Sequence, residues 1–214
     1  MKKGLTELVF ILDRSGSMSG LEQDTIGGYN SLLKKQKSES GEAVITTVLF
    51  DDRYELLHDR INLKGVAPIT DKEYFVRGST ALLDAIGGTI DKIGNAQKHT
   101  EMEEQAEKVM FVITTDGMEN ASREYSCDKI KTMIERQKKQ YGWEFLFIGA
   151  NIDAVETASK FGINADRAAN YHADSKGTAV LYDAISETVC SMRADQPITS
   201  EWKNQIDADF ESRK

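Results

Sequence analysis

The sequence predicts an α/β domain with a doubly wound, mostly parallel sheet, one antiparallel edge strand and helices on both faces. Three observations lead there. The apolar runs Leu8 to Leu12, Val109 to Ile113 and Phe145 to Ile148 are continuous instead of alternating, as in strands covered on both sides. Repeats at helical spacing stand between and after them: Ile26, Tyr29 and Leu33; Ile86, Ile90 and Ile93; Leu181, Ile185, Val189 and Met192. A chain of 214 residues, 40% hydrophobic and 29% charged, suffices for one sizeable core. Strands alternating with helices then give a parallel sheet. Residues 1–196 are expected to form the domain and 197–214 a charged tail.

The first strand, Leu8 to Leu12, stops at Asp13, and Ser15 and Ser17 follow at alternate positions around Gly16. One carboxylate and two hydroxyls on a loop free to curl are the donors that hold a small hard cation. Ser19 and Glu22 have the spacing of a capping box for the helix of Ile26, Tyr29 and Leu33. Ala43 to Phe50 is rich in Val, Ile and Thr; the Asp51-Asp52 turn and the extended Tyr54 to His58 complete a hairpin, hence the antiparallel edge. Asn62 to Arg77, with Pro68 and no clear period, reads as a surface connection.

After Gly78 and Ser79, Thr80 falls at the first turn of the Ile86 helix, and Gly87-Gly88 inside that helix implies close packing on the sheet. The strand Val109 to Ile113 ends, like the first, in polar residues: Thr114, Thr115, Asp116 and Gly117. Ile130, Met133 and Ile134 mark the next helix. Phe145 to Ile148 is a third buried strand; Asp153 and Glu156 cap a helix that Gly162 ends. Ala168 to His172 reads as a short last strand and Leu181 to Met192 as the last long helix, closed by Pro197. In the tail only Trp202 and Phe210 are large apolar anchors, and its docking stays open at this level.

A net charge of -8 and a pI near 5.0 argue against nucleic acid or an anionic membrane as the main partner and favour a cation. Lys34, Lys35 and Lys37, like Lys129, Lys131, Arg136, Lys138 and Lys139, read as solvated helix faces. Glu7 interrupts the N-terminal apolar run, which falls short of the ~7–15 residues of a secretion signal. No stretch approaches the ~20 apolar residues of a membrane span. Cys127 and Cys190 lack metal-ligand spacing and are expected as free thiols in a cytoplasmic protein. His58, His99 and His172 share no motif and make no catalytic pair.

In a doubly wound sheet, ligands bind beyond the carboxyl ends of the strands where strand order reverses. Asp13 and Asp116 both lie at such ends, and Thr80 can add a hydroxyl from a third loop. Taken singly, these are ordinary turn and capping residues. Taken together, Asp13-x-Ser15-x-Ser17, Gly78-Ser79-Thr80 and Thr115-Asp116-Gly117, with Phe50-Asp51 closing the second strand, resemble the von Willebrand factor type A (vWA) domain. The resemblance covers Leu5 to about Arg193 and all five elements of that family's metal-ion-dependent adhesion site (MIDAS).

The resemblance implies a Rossmann-like vWA fold and Mg²⁺, with Mn²⁺ as a substitute, held directly by Ser15 and Ser17. Asp13, Asp116 and Thr80 would hold it directly or through water. It implies no enzymatic activity: the ion recruits an acidic side chain of a protein partner, and Arg14, Met18, Met118 and Glu119 would form the rim. Intracellular members resemble adaptors that work with ATPases or in multi-protein assemblies. Many members switch by a shift of the Thr80 loop relayed to the last helix, here Thr178 to Arg193.

Two other readings compete. One is a Mg²⁺-dependent phosphoryl transferase or hydrolase with Asp13 as nucleophile. Against it, Ser15 stands where a second acid is needed, and neither a Gly-x-Ser-x-Gly elbow, a Walker loop nor a dinucleotide fingerprint is present. The other is a structural domain whose metal only pins three loops.

Overall fold

The computed structural model describes residues 1–213. Six strands form one sheet: β1 (Lys2–Asp13), β2 (Glu42–Phe50), β3 (Tyr54–Asn62), β4 (Ala106–Thr115), β5 (Glu144–Gly149) and β6 (Ala168–Asn170). Their order is β3-β2-β1-β4-β5-β6, every pairing parallel except β2 with β3. The helices are α1 (Glu22–Ser38), α2 (Leu82–Lys98), α3 (Cys127–Tyr141), α4 (Ala154–Lys160), α5 (Ser175–Arg193) and α6 (Asn204–Ser212).

Alternate residues of β1 enter opposite cores, as strand geometry requires. Leu8, Phe10 and Leu12 meet α1, α5 and α6 through Tyr29, Leu32, Leu181, Ile185 and Ile206. Val9 and Ile11 meet α2, α3 and α4 through Ile86, Ile90, Ile130 and Ala158. Each such buried aliphatic or aromatic side chain stabilises the fold by about 1.5–3 kcal/mol. With β2 on one side of β1 and β4 on the other, strand order reverses beside β1, so the ends of β1 and β4 flank the crevice.

Several local expectations are corrected. Ser19 does not cap α1: Leu21 occupies that position, and the Glu22 carboxylate accepts from the Gly20 amide instead. The stretch 62–77 is not a surface connection, because Leu63, Val66, Ile69 and Tyr74 are buried in the α1/α5 core. Of Gly87-Gly88, Gly87 packs closely against a ring outside the sheet, a Cβ there lying 2.2 Å from Tyr125 Cδ1, while a Cβ at Gly88 would lie 3.5 Å from the ring of Tyr54 in β3.

The tail docks. Ile206 of α6 is buried among α5 and the sheet, and Phe210 stacks on His172 at 4.7 Å between ring centroids. Trp202 Nε1 donates to Asp166 O at 2.8 Å, and Lys203 Nζ donates to Ala168 O at 2.9 Å. Ile206, which sequence reading passed over, is the tail's most buried apolar anchor. Cys127 and Cys190 form no disulfide.

Candidate metal centre

The first strand delivers Asp13 to the crevice at its last residue, and a one-turn 3-10 helix over Gly16–Met18 curls the chain back at once. That turn swings Ser15 and Ser17 to the same side: their Oγ atoms are 3.1 Å apart. Thr80 comes from the segment before α2. Its position is not the first turn, since Leu82 is the first helical residue and Ala81 the cap. The Thr80 hydroxyl donates to Ser15 Oγ at 3.0 Å. Three hydroxyls from two loops therefore converge.

Asp13 and Asp116 flank them. Asp13 Oδ1 accepts from the Ser15 amide at 2.7 Å; Oδ2 accepts from Thr115 Oγ1 at 2.6 Å and from the Asp116 amide at 3.4 Å. Asp116 Oδ1 accepts from Asn151 Nδ2, at the end of β5. Among the described residues no guanidinium or ammonium neutralises either carboxylate; their hydrogen-bond partners are amides and hydroxyls. Burial pushes the Asp116 carboxyl up to about 6 against the Asn151 bond, with the negative charge of Asp13 adding to the rise. Burial likewise holds Asp13 above the usual carboxylate range, opposed by its bonds to Thr115 and Ser15.

The donor set fits a small divalent ion. Adjacent oxygens on an octahedral Mg²⁺ with bonds of ~2.0–2.1 Å are about 2.9 Å apart. The Ser15–Ser17 and Ser15–Thr80 separations are 3.1 and 3.0 Å. Gly117 keeps the space beside them clear, for a Cβ there would lie 3.1 Å from Ser17 Oγ and 3.6 Å from Thr80 Oγ1. Among the described residues no group of three or more His, Cys, Asp and Glu side chains is placed to hold a metal. Any ion here relies on hydroxyls for the rest of its shell.

The expected rim is largely corrected. Arg14 is fully buried, its Nε donating to Asp51 at 3.1 Å and its NH2 to Glu55 at 2.6 Å. Met18, the last residue of the 3-10 turn, is 4% exposed. Glu119 is half-buried and spends both oxygens on the amides of Leu83, Ala121 and Ser122 and the Ser122 hydroxyl. Of the four, only Met118 stands out from the surface, 75% exposed.

Sequence reading missed the strut that holds the serine loop. Tyr74 OH donates to Asp13 O at 2.5 Å, Arg77 N to Arg14 O at 2.9 Å, and Gly16 N to Gly78 O at 3.1 Å. Phe75 lies over both the Arg14 and Arg77 guanidiniums, at 5.3 and 5.4 Å. The apolar spacing of Leu63, Val66 and Ile69 was the available signal that this segment turns inward.

No family model matches the sequence, and no curated protein matches it either. Solved structures do match. The vWF domain of the type V pili tip protein Mfa5 from Porphyromonas gingivalis aligns with a TM-score of 0.64 at 12% identity, over 86% of this chain and 94% of that one. The chain adopts the vWA fold. Proximal thread matrix protein 1 from the mussel byssus, with a zinc-occupied MIDAS motif, aligns at 0.58 and 15% identity over 86% of this chain and 46% of its own. Manganese-loaded TRAP protein of Plasmodium vivax aligns at 0.59 and 17%, over 84% and 73%. The present chain thus spans about half the length of the mussel vWA protein. Within the vWA architecture, Asp13, Ser15, Ser17, Thr80 and Asp116 all lie at the carboxyl pole of the sheet.

Proposed function

We propose that the chain is a metal-dependent protein-interaction module in which Asp13, Ser15, Ser17, Thr80 and Asp116 form a MIDAS for Mg²⁺. One observation carries the reading: three hydroxyl oxygens at octahedral spacing stand beside two buried carboxylates that no cation among the described residues neutralises. Metal-loaded structures among the vWA neighbours support it. An ion held by these residues would supply an electrophilic position suited to a carboxylate of a partner protein.

The protein's own residues do the rest. Ser15, Ser17 and Thr80 donate neutral oxygens, so the site's charge comes from Asp13 and Asp116 alone. Thr115 and Asn151 hold those carboxylates in place. The partner in this reading is an acidic side chain on a protein within a cytoplasmic assembly, and the module carries out no chemistry on it.

The test is affinity capture from source-cell lysate with wild type and Thr80→Ala, each in Mg²⁺ and in EDTA, beside thermal unfolding of both. A protein retained only by wild type in Mg²⁺ is the expected result. Capture indifferent to metal and to Thr80 overturns recruitment. If Mg²⁺ still raises the melting temperature in that case, the ion serves only to pin the loops.

A further inference from the structure

Thr80 is the one candidate ligand outside the two strand-end loops, and no side chain of its own segment fixes its backbone. The holding comes from across the crevice. Asn120, four residues beyond Asp116, accepts a hydrogen bond from Thr80 N at its Oδ1, 2.9 Å away. The Asn120 amide donates back to Thr80 O at 3.0 Å, and the Ala121 amide donates to the same oxygen at 3.2 Å. Both main-chain polar groups of Thr80 are thus gripped by one short stretch.

The same loop grips the start of α2 further along. Glu119 Oε2 accepts from Leu83 N at 2.9 Å and Ser122 Oγ from Asp84 N at 3.0 Å, while the Asp84 carboxylate accepts from the amides of Arg123, Glu124 and Tyr125. These bonds seat α2 and the loop after β4 as one body. On Thr80 itself act the two Asn120 bonds and the Ala121 amide, and of these only the bond to Asn120 Oδ1 comes from a side chain.

We infer that Asn120 is a positioning residue of the candidate metal centre: its bonds to Thr80 fix the threonine hydroxyl beside Ser15. The inference rests on the metal-binding reading above. An amide suits the task, since it supplies the acceptor oxygen without adding a third negative charge beside Asp13 and Asp116. Asn120 is exposed, so its replacement leaves the core untouched. Residues that orient metal ligands in this way change affinity by roughly 10–100-fold when removed.

The experiment is calorimetric titration with Mn²⁺ of wild type, Asn120→Ala and Asn120→Asp, with denaturant unfolding of each in EDTA and hydrogen exchange at the Thr80 amide. Asn120→Ala is expected to bind Mn²⁺ about tenfold or more weakly. Its Thr80 amide exchanges faster, and its unfolding midpoint in EDTA is unchanged. Asn120→Asp, which keeps the acceptor, stays within about threefold of wild type or binds more tightly through its added charge. Wild-type affinity in Asn120→Ala overturns the positioning role, as does an equal loss in the alanine and aspartate variants. A lowered midpoint in EDTA that accounts for the whole loss of affinity makes Asn120 merely structural and overturns it too. Absence of Mn²⁺ binding by wild type overturns the metal reading itself, a result distinct from the others. Should Asn120→Ala misfold, Asn120→Ser provides the same comparison.

Discussion

Arg77 Nε donates to Asp51 Oδ2 at 2.5 Å, and the same oxygen accepts from Arg14 Nε at 3.1 Å. One carboxylate oxygen at the end of β2 therefore joins the loop carrying Ser15 to the segment leading to Thr80. Arg14 has no exposed surface, so the ion pair lies inside the protein. Removing the Asp51 charge leaves the buried Arg14 guanidinium with only the partly exposed Glu55 carboxylate as a counter-charge.

Asp51→Asn is accordingly expected to destabilise the domain by about 3–5 kcal/mol at neutral pH, measured by urea unfolding in EDTA. Burial disfavours the Asp51 charge, yet the Arg77, Arg53 and Arg14 contacts outweigh it and hold the carboxyl below its ordinary value. A group depressed in the folded state contributes stability above its unfolded pKa of ~4 and loses it as pH falls through the lower folded value. The gap between wild type and Asp51→Asn should therefore be widest near neutrality and shrink in acid below about pH 4. A constant gap from pH 7 to pH 3 would mean that packing, not charge, is what the substitution removes.

Gly117→Ala tests the room beside the hydroxyls. Its Cβ would come within 3.1 Å of Ser17 Oγ. The expected result is weaker Mn²⁺ binding with an unchanged melting temperature in EDTA. Equal Mn²⁺ affinity in the two proteins would show that the ion does not use the space next to Ser17.

Gly87→Ala should raise helix propensity by about 1 kcal/mol and still destabilise the protein, because overpacking a filled site costs roughly 1–3 kcal/mol. The obstacle is the Tyr125 ring, 2.2 Å from the added carbon. Adding Tyr125→Ala to Gly87→Ala should remove part of the penalty. A double-mutant cycle without coupling would place the strain elsewhere.

Ile206→Ala is expected to weaken the docking of α6 by about 2–5 kcal/mol. A helix of this length is marginal by itself in water. Limited trypsin digestion should then cut at Lys203 well before the rest of the domain yields, and resistance equal to wild type would count against Ile206 as the anchor.

The strands and their oxygen-bearing ends were legible because each depends on local pattern, whereas the meeting of Asp13, Ser15, Ser17, Thr80 and Asp116 at one pole followed from the rule for doubly wound sheets and from the resemblance of the three motifs. A continuous apolar run that ends in oxygen-bearing side chains needs only the chain around it. Arg14 was not legible. A charged residue is read as exposed unless partners offset its burial, and Asp51, Glu55 and Phe75 arrive from distant parts of the chain. Asn120 was hidden for a related reason: its role exists only once the end of β4 faces the start of α2. Tyr74 looked like loop because it falls outside the three-residue spacing of Leu63, Val66 and Ile69, although its ring is fully enclosed.

The two borders of the sheet are closed in different ways. At β6, Lys203 occupies the Ala168 carbonyl, and Trp202 takes the Asp166 carbonyl just before the strand. At β3, the pairing with β2 slips register twice, and Arg60 takes a left-handed backbone, φ +48. A bent border and a covered one both refuse an incoming strand. A chain cut before Ser200 would lose Trp202 and Lys203 together with α6 and so only the cover, and self-association in the shortened protein should begin along β6 and leave β3 untouched.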